Sequence, residues 1–175
     1  MTERPRGWFT DEEGEAYAKL VRGLSKAKIA EVGVFLGRSM SWIFEPCREN
    51  GNVIWAVDNW LGAGSVRGPK LQEGFLDTRD KWDARDFVSI ASGDSSEVAG
   101  TFDDDYFDLV MIDGAHDYEG VKRDLKAWMP KVKSGGVLCG HDYCPKFHPA
   151  VIKAVDELVG DLDGLAHRFW WKVMA

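Results

Sequence analysis

The sequence predicts an α/β fold built on a mostly parallel sheet. Three observations predict it. Short, near-continuous apolar runs recur along the chain, as strands buried on both faces require. Helical stretches alternate with these runs, which argues for βαβ units. A hydrophobic fraction of 45% over 175 residues suits one domain with one core, so residues 1–175 are expected to fold together.

The elements follow in order. Thr10, Asp11, Glu12 and Glu13 read as a capping box, with Thr10 as the cap and Glu13 reaching back. Tyr17, Leu20, Val21 and Leu24 then recur at helical spacing, which places an N-terminal helix within residues 1–27. Residues 28–34 are a short apolar run with Gly33 near its end, and residues 39–47 follow as a helix with Trp42 and Ile43 facing inward. A turn at Asn50, Gly51 and Asn52 opens a second strand over 52–58; residues 87–91 form a third and residues 107–113 the clearest, a fourth. Tyr118, Val121, Leu125 and Trp128 mark one face of the next helix. Ser134, Gly135 and Gly136 turn into a fifth strand over 137–140. Pro149 suits the first turn of a helix carrying Val151, Ile152, Val155, Leu158 and Val159. Residues 168–173 close the chain as a strand with the paired indoles of Trp170 and Trp171.

Residues 61–85 break the rhythm. They are rich in glycine and charge, and a connection of that length is either a substrate lid or a surface helix near residues 70–82 with flexible flanks.

Composition excludes some functions. A formal charge of −7 and a pI of about 5.1 repel phosphate backbones, so the expected partner is a small neutral or cationic molecule and not a nucleic acid. Cys47, Cys139 and Cys144 form no CxxC pair, which fits a reducing cytoplasm. Residues 1–10 are polar and carry no apolar signal core, and no apolar run approaches the roughly 20 residues of a membrane span. The aromatic C-terminal strand is a candidate interface between copies of the chain.

In an open α/β sheet, ligands bind beyond the carboxyl ends of the strands. After the first strand, Gly33 and Gly37 let the backbone approach a ligand, although their spacing is not the GxGxxG of dinucleotide sites. The second strand ends in Asp58, which can accept hydrogen bonds from ribose hydroxyls or can simply cap a turn. After the third, Asp94 can accept from an adenine amino group, but taken alone a helix cap is its stronger reading. The fourth and fifth strands end in Asp113 with His116 and in His141 with Asp142. Asp113, His141 and Asp142 thus share one rim, where they can hold a divalent cation such as Mg²⁺. His116 can act as general base near neutral pH. The plain alternatives are a turn residue for His116 and a satisfied strand-end imidazole for His141. Cys139, His141, Cys144 and His148 match no zinc-site spacing.

These stretches resemble a known family. Glu31-Val32-Gly33-Val34-Phe35-Leu36-Gly37-Arg38-Ser39 resembles the first motif of class I S-adenosylmethionine (SAM)-dependent methyltransferases, and Val57-Asp58-Asn59-Trp60 their second. Residues 111–125, with Lys133-Ser134-Gly135-Gly136-Val137 and His141-Asp142-Tyr143, resemble the subgroup of macrocin-type and mycinamicin-type sugar O-methyltransferases. The resemblance implies a Rossmann-like sheet of six or seven strands with the last antiparallel, and SAM lying across the strand ends. It implies Glu31 at the methionine end of SAM, Gly33 and Gly37 giving clearance, Asp58 at the ribose, and Ser39 and Asn59 among the cofactor-binding residues. Asp94 and Ser95 would stand at the adenine, and Asp113 beside the cofactor. It also implies a metal at Asp113 and Asp142, with His141 where the metal-dependent antibiotic enzymes carry a carboxylate, and His116 at the proposed base position. Imidazole favours Mn²⁺, Fe²⁺ or Zn²⁺ over Mg²⁺.

The expected activity is methyl transfer to a hydroxyl of a small molecule, sugar-like or aromatic, with the metal assisting. Asp113 and Asp117 would favour a charged His116. A metal-independent methyltransferase and a SAM-binding protein without transfer activity are the alternatives. The segment 61–85, Tyr143 and the Trp170–Trp171 pair are the expected walls of the acceptor site.

Overall fold

The structure, a computed structural model, describes residues 2–62 and 67–175. Seven strands form one sheet in the order β3-β2-β1-β4-β5-β7-β6: β1 Lys28–Val32, β2 Val53–Asp58, β3 Val88–Ser92, β4 Phe107–Ile112, β5 Val132–Gly140, β6 Gly164–Ala166 and β7 Phe169–Val173. The first five pair in parallel, whereas β7 pairs antiparallel with both β5 and β6. This is the Rossmann-like α/β arrangement that the sequence predicts.

Alternation along each strand feeds two cores. Ile29, Ile54, Leu109, Met111 and Cys139 face α1 Asp11–Arg22, α2 Phe44–Asn50 and α3 Pro69–Lys81, whose Tyr17, Phe44 and Phe75 are fully buried. Ala30, Val32, Val57, Val110 and Leu138 face the other way, against α4 Ser95–Ala99, α5 Tyr118–Trp128 and α6 Pro149–Leu158. A sheet covered on both faces explains why the strands read as continuous apolar runs. Much of the aromatic content goes here too, with Trp55, Phe102, Tyr106, Phe107 and Trp128 in mutual ring contact.

Local signals set the helix starts. The Thr10–Glu13 capping box is present, and Asp117 caps α5 by accepting the Gly120 amide at 3.0 Å. Asp117 is thereby committed to the helix, and the carboxylates beside His116 are Asp113 and Asp142 instead. Residues 39–47 divide into a 3-10 turn, Met40–Trp42, and α2.

Three elements differ from the sequence reading. Strand β5 starts at Val132 and runs through Ser134, Gly135 and Gly136, with a register shift opposite Phe107 and Leu109, so the glycines form an irregularity within the strand. The five-residue α4 and three-residue β6 are additional. Within 61–85, α3 is a packed helix, with Leu71 and Phe75 buried and Phe75 against the Trp60 ring at 5.6 Å. Part of the lid expected over that segment, residues 63–66, lies outside the described residues.

Candidate functional site

The sheet order reverses between β1 and β4, and a cavity of about 550 Å³ opens over the carboxyl ends of the strands at that point. A pocket of this size is in the range that encloses a small molecule. Its walls come from the ends of β1, β2, β3, β4 and β5, from α5, and from residues 7–9 of the N-terminal segment.

Of the residues expected at the cofactor, Gly33, Ser39, Asp58, Asn59, Asp94, Ser95 and Asp113 line this cavity. Gly33, at φ +85°, lets two strand ends close on each other: a Cβ there would stand 2.1 Å from the Asp113 carbonyl oxygen. Asp58 organises the loop after β1. Its Oδ2 accepts the Val34 and Phe35 amides at 2.9 and 3.0 Å, and its Oδ1 accepts the Trp60 amide at 2.7 Å. Oδ1 keeps a lone pair for a further donor. Asn59 accepts the Leu61 amide, and Asp94 caps α4 by accepting the Ser96 amide at 3.0 Å. The Ser95 hydroxyl accepts the Trp128 indole N–H.

Two expected residues stand elsewhere. Gly37 gives clearance to α3, since a Cβ there would meet the Phe75 ring at 3.0 Å. Glu31 is fully buried behind the wall, where it accepts the Ser39 hydroxyl at 2.6 Å and the Tyr17 hydroxyl at 3.3 Å. Burial pushes its carboxyl up to about 8, against the lowering effect of the Ser39 bond. Ser39, which lines the cavity, is the residue that links Glu31 to it.

At the other end of the cavity, ionisable groups converge. His116 Nε2 lies 3.0 Å from Asp142 Oδ2 and 3.9 Å from Asp113 Oδ1. Buried His141 turns Nδ1 toward Asp142 Oδ1 at 3.3 Å and Asp113 Oδ1 at 3.6 Å. Its Nε2 lies 3.1 Å from Glu13 Oε1, a short contact away from the N–H axis. Contacts with Asp113 and Asp142 raise His116 to about 10. Burial works against a charged His141, but Asp113, Glu13 and Asp142 outweigh it and raise that imidazole to about 10 as well. Burial likewise opposes ionisation of Glu13 and Asp142, yet the neighbouring imidazoles hold both carboxyls below their ordinary values. Asp142 adopts φ +60°, an uncommon backbone for a non-glycine residue.

Among the described residues, two donor sets come within cation-binding reach: Asp113, His141 and Asp142, and the more open His116, Asp142 and His148. The first is the set expected from the sequence. Its two carboxylates and one imidazole, converging on one point, fit a divalent cation.

Sequence reading missed three contributors. Glu13 is the third-position partner of the Thr10 helix cap, and that local role hides its contact with His141. Arg168, in the turn just before the last strand, brings Nη1 within 3.5 Å of Asp142 and Nε within 3.2 Å of Glu13. Trp8 lines the cavity, stacks on Phe35 at 5.2 Å and stays more than half exposed; Arg168 binds its carbonyl at 2.7 Å. The expected acceptor walls differ accordingly. Leu61 lines the cavity, but Tyr143 is held by Asp156, Trp170 is buried, and Trp171 packs over Gly164.

Comparison with known proteins bears on the fold and the family. The chain resembles the structure of cofactor-bound Rv0187 from MTB (TM-score 0.77, 16% identity, 98% of this chain and 84% of that one). It also resembles the O-methyltransferase NovP (TM-score 0.71, 18% identity, 98% and 84%). CalS11, a TDP-rhamnose 3'-O-methyltransferase of calicheamicin biosynthesis, matches with a TM-score of 0.68 and 17% identity over 94% of this chain and 81% of that one. At such identities these likenesses establish the fold. In sequence, the chain is 27% identical over 128 residues to the uncharacterized protein y4gI of Sinorhizobium fredii, covering 70% of this chain but only 14% of that much longer protein. A family model described as a methyltransferase domain matches residues 30–143, which span the ends of β1, β2, β3, β4 and β5 and so most of the cavity wall. The chain belongs to this methyltransferase domain family.

Proposed function

We propose that the chain is a SAM-dependent O-methyltransferase acting on a hydroxyl of a small molecule, with a divalent cation assisting. The observation that carries this reading is the arrangement of one cavity. Its β1–β2–β3 side presents the close-packed Gly33 loop, Asp58 and Ser95, and its β4–β5 side presents His116 among carboxylates. The methyltransferase family and the solved O-methyltransferases NovP and CalS11 support it.

SAM supplies a methyl group already activated by its sulfonium. The loop at Val34 and Phe35, braced by Asp58, and the α4 start at Asp94 and Ser95 would hold its nucleoside, and Ser39 its amino-acid end. The protein's task is then to align an acceptor and keep its oxygen nucleophilic. Alignment by itself is worth on the order of 7–11 kcal/mol. His116 stands on the open side of the cluster, with Nε2 against Asp142 and Asp113, which stabilise its imidazolium; with those carboxylates drawn to a cation, Nε2 would be free to take the hydroxyl proton. Asp113, His141 and Asp142 would hold the cation, which would lower the pKa of the acceptor hydroxyl and offset the charge that otherwise keeps His116 protonated. Trp8 and Leu61 provide an apolar rim for the acceptor, and the N-terminal segment carrying Trp8 is strapped by Arg38 and Arg168.

The test is transfer of labelled methyl from SAM to a panel of hydroxylated sugars and phenols, with and without a chelator. Transfer to an oxygen that stops in chelator supports the reading. Transfer to nitrogen, or none across the panel despite SAM binding, contradicts it.

A further inference from the structure

Glu13 is built into the molecule more firmly than a helix cap requires. Its Oε2 accepts the Thr10 amide at 2.6 Å, which completes the capping box. Its Oε1 points the other way, into the core. There it accepts the Arg168 amide and Nε–H at 3.2 Å each and lies 3.0 Å from His167 Nδ1. The same oxygen reaches His141 Nε2, which is 128 positions further along the chain. The residue is wholly buried, and exposed cap partners have no need of such a surrounding.

The partner imidazole is fixed as well. His141 is 4% exposed, and the Phe9 ring covers it with centroids 4.9 Å apart. Its two nitrogens face opposite chemistry: Nε2 meets Glu13 alone, and Nδ1 meets the pair Asp113 and Asp142. With the ring's proton kept on Nε2 by Glu13, Nδ1 would offer its lone pair to an ion held by Asp113 and Asp142. That is the arrangement by which proteins orient an imidazole ligand on a metal. The Nε2 contact is short, 3.1 Å, but is not aligned as a hydrogen bond, so it orients the ring by charge and packing.

We infer that Glu13 is a positioning residue for metal binding, holding His141 so that Nδ1 joins Asp113 and Asp142 in a set that takes a first-row transition ion in preference to Mg²⁺. One nitrogen with two carboxylates suits Mn²⁺, Fe²⁺, Co²⁺ or Zn²⁺, whereas Mg²⁺ favours oxygen alone. The inference rests on the metal part of the proposed function. It assigns the ion to the inner set and leaves His116 and His148 outside it.

The experiment is a Co²⁺ titration of the full chain followed by visible absorption, with excess Mg²⁺ as competitor, on the wild type, Glu13→Gln and His148→Ala. Expected are a Co²⁺ spectrum that a hundredfold excess of Mg²⁺ does not erase, affinity weakened about 10- to 100-fold in Glu13→Gln, and wild-type affinity in His148→Ala. Wild-type affinity in Glu13→Gln, or loss in His148→Ala in its place, overturns the inference and puts the ion on the outer set. Absence of Co²⁺ binding by the wild type removes the metal from the proposed function, while SAM binding and methyl transfer are measured independently. Circular dichroism checks the fold of each variant. Should Glu13→Gln not fold, ¹⁵N spectra of the wild type with Zn²⁺ decide: the inference requires the His141 Nδ1 resonance to shift while Nε2 keeps its proton, and a metal shift at Nε2 overturns it.

Discussion

Asp58 Oδ2 accepts the Val34 amide at 2.9 Å, so the end of β2 holds the loop that follows β1. Together with the bonds from Phe35 and Trp60, the carboxylate satisfies three backbone donors at the centre of the cavity wall. Asp58→Ala leaves those donors without it and should cost about 2–3 kcal/mol in denaturant unfolding. It should also weaken SAM binding at least tenfold. Asp58→Asn keeps one acceptor oxygen and should recover part of the stability but little of the SAM affinity.

Gly33 and Gly135 share a left-handed backbone but differ in surroundings. A Cβ at Gly33 would stand 2.1 Å from the Asp113 carbonyl, whereas one at Gly135 (φ +77°) meets nothing within 4 Å. Gly135→Ala should therefore lose only about 1 kcal/mol, the cost of a side chain in that conformation. Gly33→Ala adds overpacking and should lose about 3 kcal/mol or more. Equal losses in thermal melts would show that β1 and β4 are not clamped as described.

Glu31 gives the fold a pH dependence of definite sign. Its ordinary value of 4.5 rises to about 8 on burial, so the folded chain binds the proton more tightly than the unfolded one. Stability from this group is full below about 4.5 and falls as pH rises toward about 8, by on the order of 5 kcal/mol in all. Glu31→Gln cannot lose a proton and should flatten that part of the stability profile. Chemical denaturation of both proteins between about pH 5 and about pH 8 checks it.

His116 is assigned to the acceptor proton and not to SAM. His116→Ala should leave SAM affinity within twofold and lower methyl transfer by about 10²–10⁴. A variant that transfers methyl at the wild-type rate refutes the base assignment.

Much of this architecture is legible in the amino-acid sequence. Residues 107–113 read as a strand because burial on both faces makes β4 apolar apart from Asp108 near its start, and the α1 cap is evident because its chemistry lies within four residues. What escapes sequence reading is short or distant. The α4 sequence Ser95–Ala99 has too few residues to show a period, and β6 pairs only because β7 lies beside it. The glycines of β5 carry a turn signal that the sheet overrides. Strand-end logic reaches Asp58, Asp113, His116, His141 and Asp142, since their place follows from the chain's own rhythm. Trp8 and Arg168 reach the cavity, and Glu13 reaches His141, only through tertiary packing, and no spacing rule joins Glu13 to His141. Glu31 and Gly37 carry the expected motif yet face the core and α3, because a motif gives position along the chain and not the direction of a side chain.

Calorimetric titration of SAM into the purified chain tests the central claim most directly, with Asp58→Ala beside the wild type. The account predicts micromolar binding to the wild type and its loss in the variant. No SAM binding by a folded wild-type chain would contradict it.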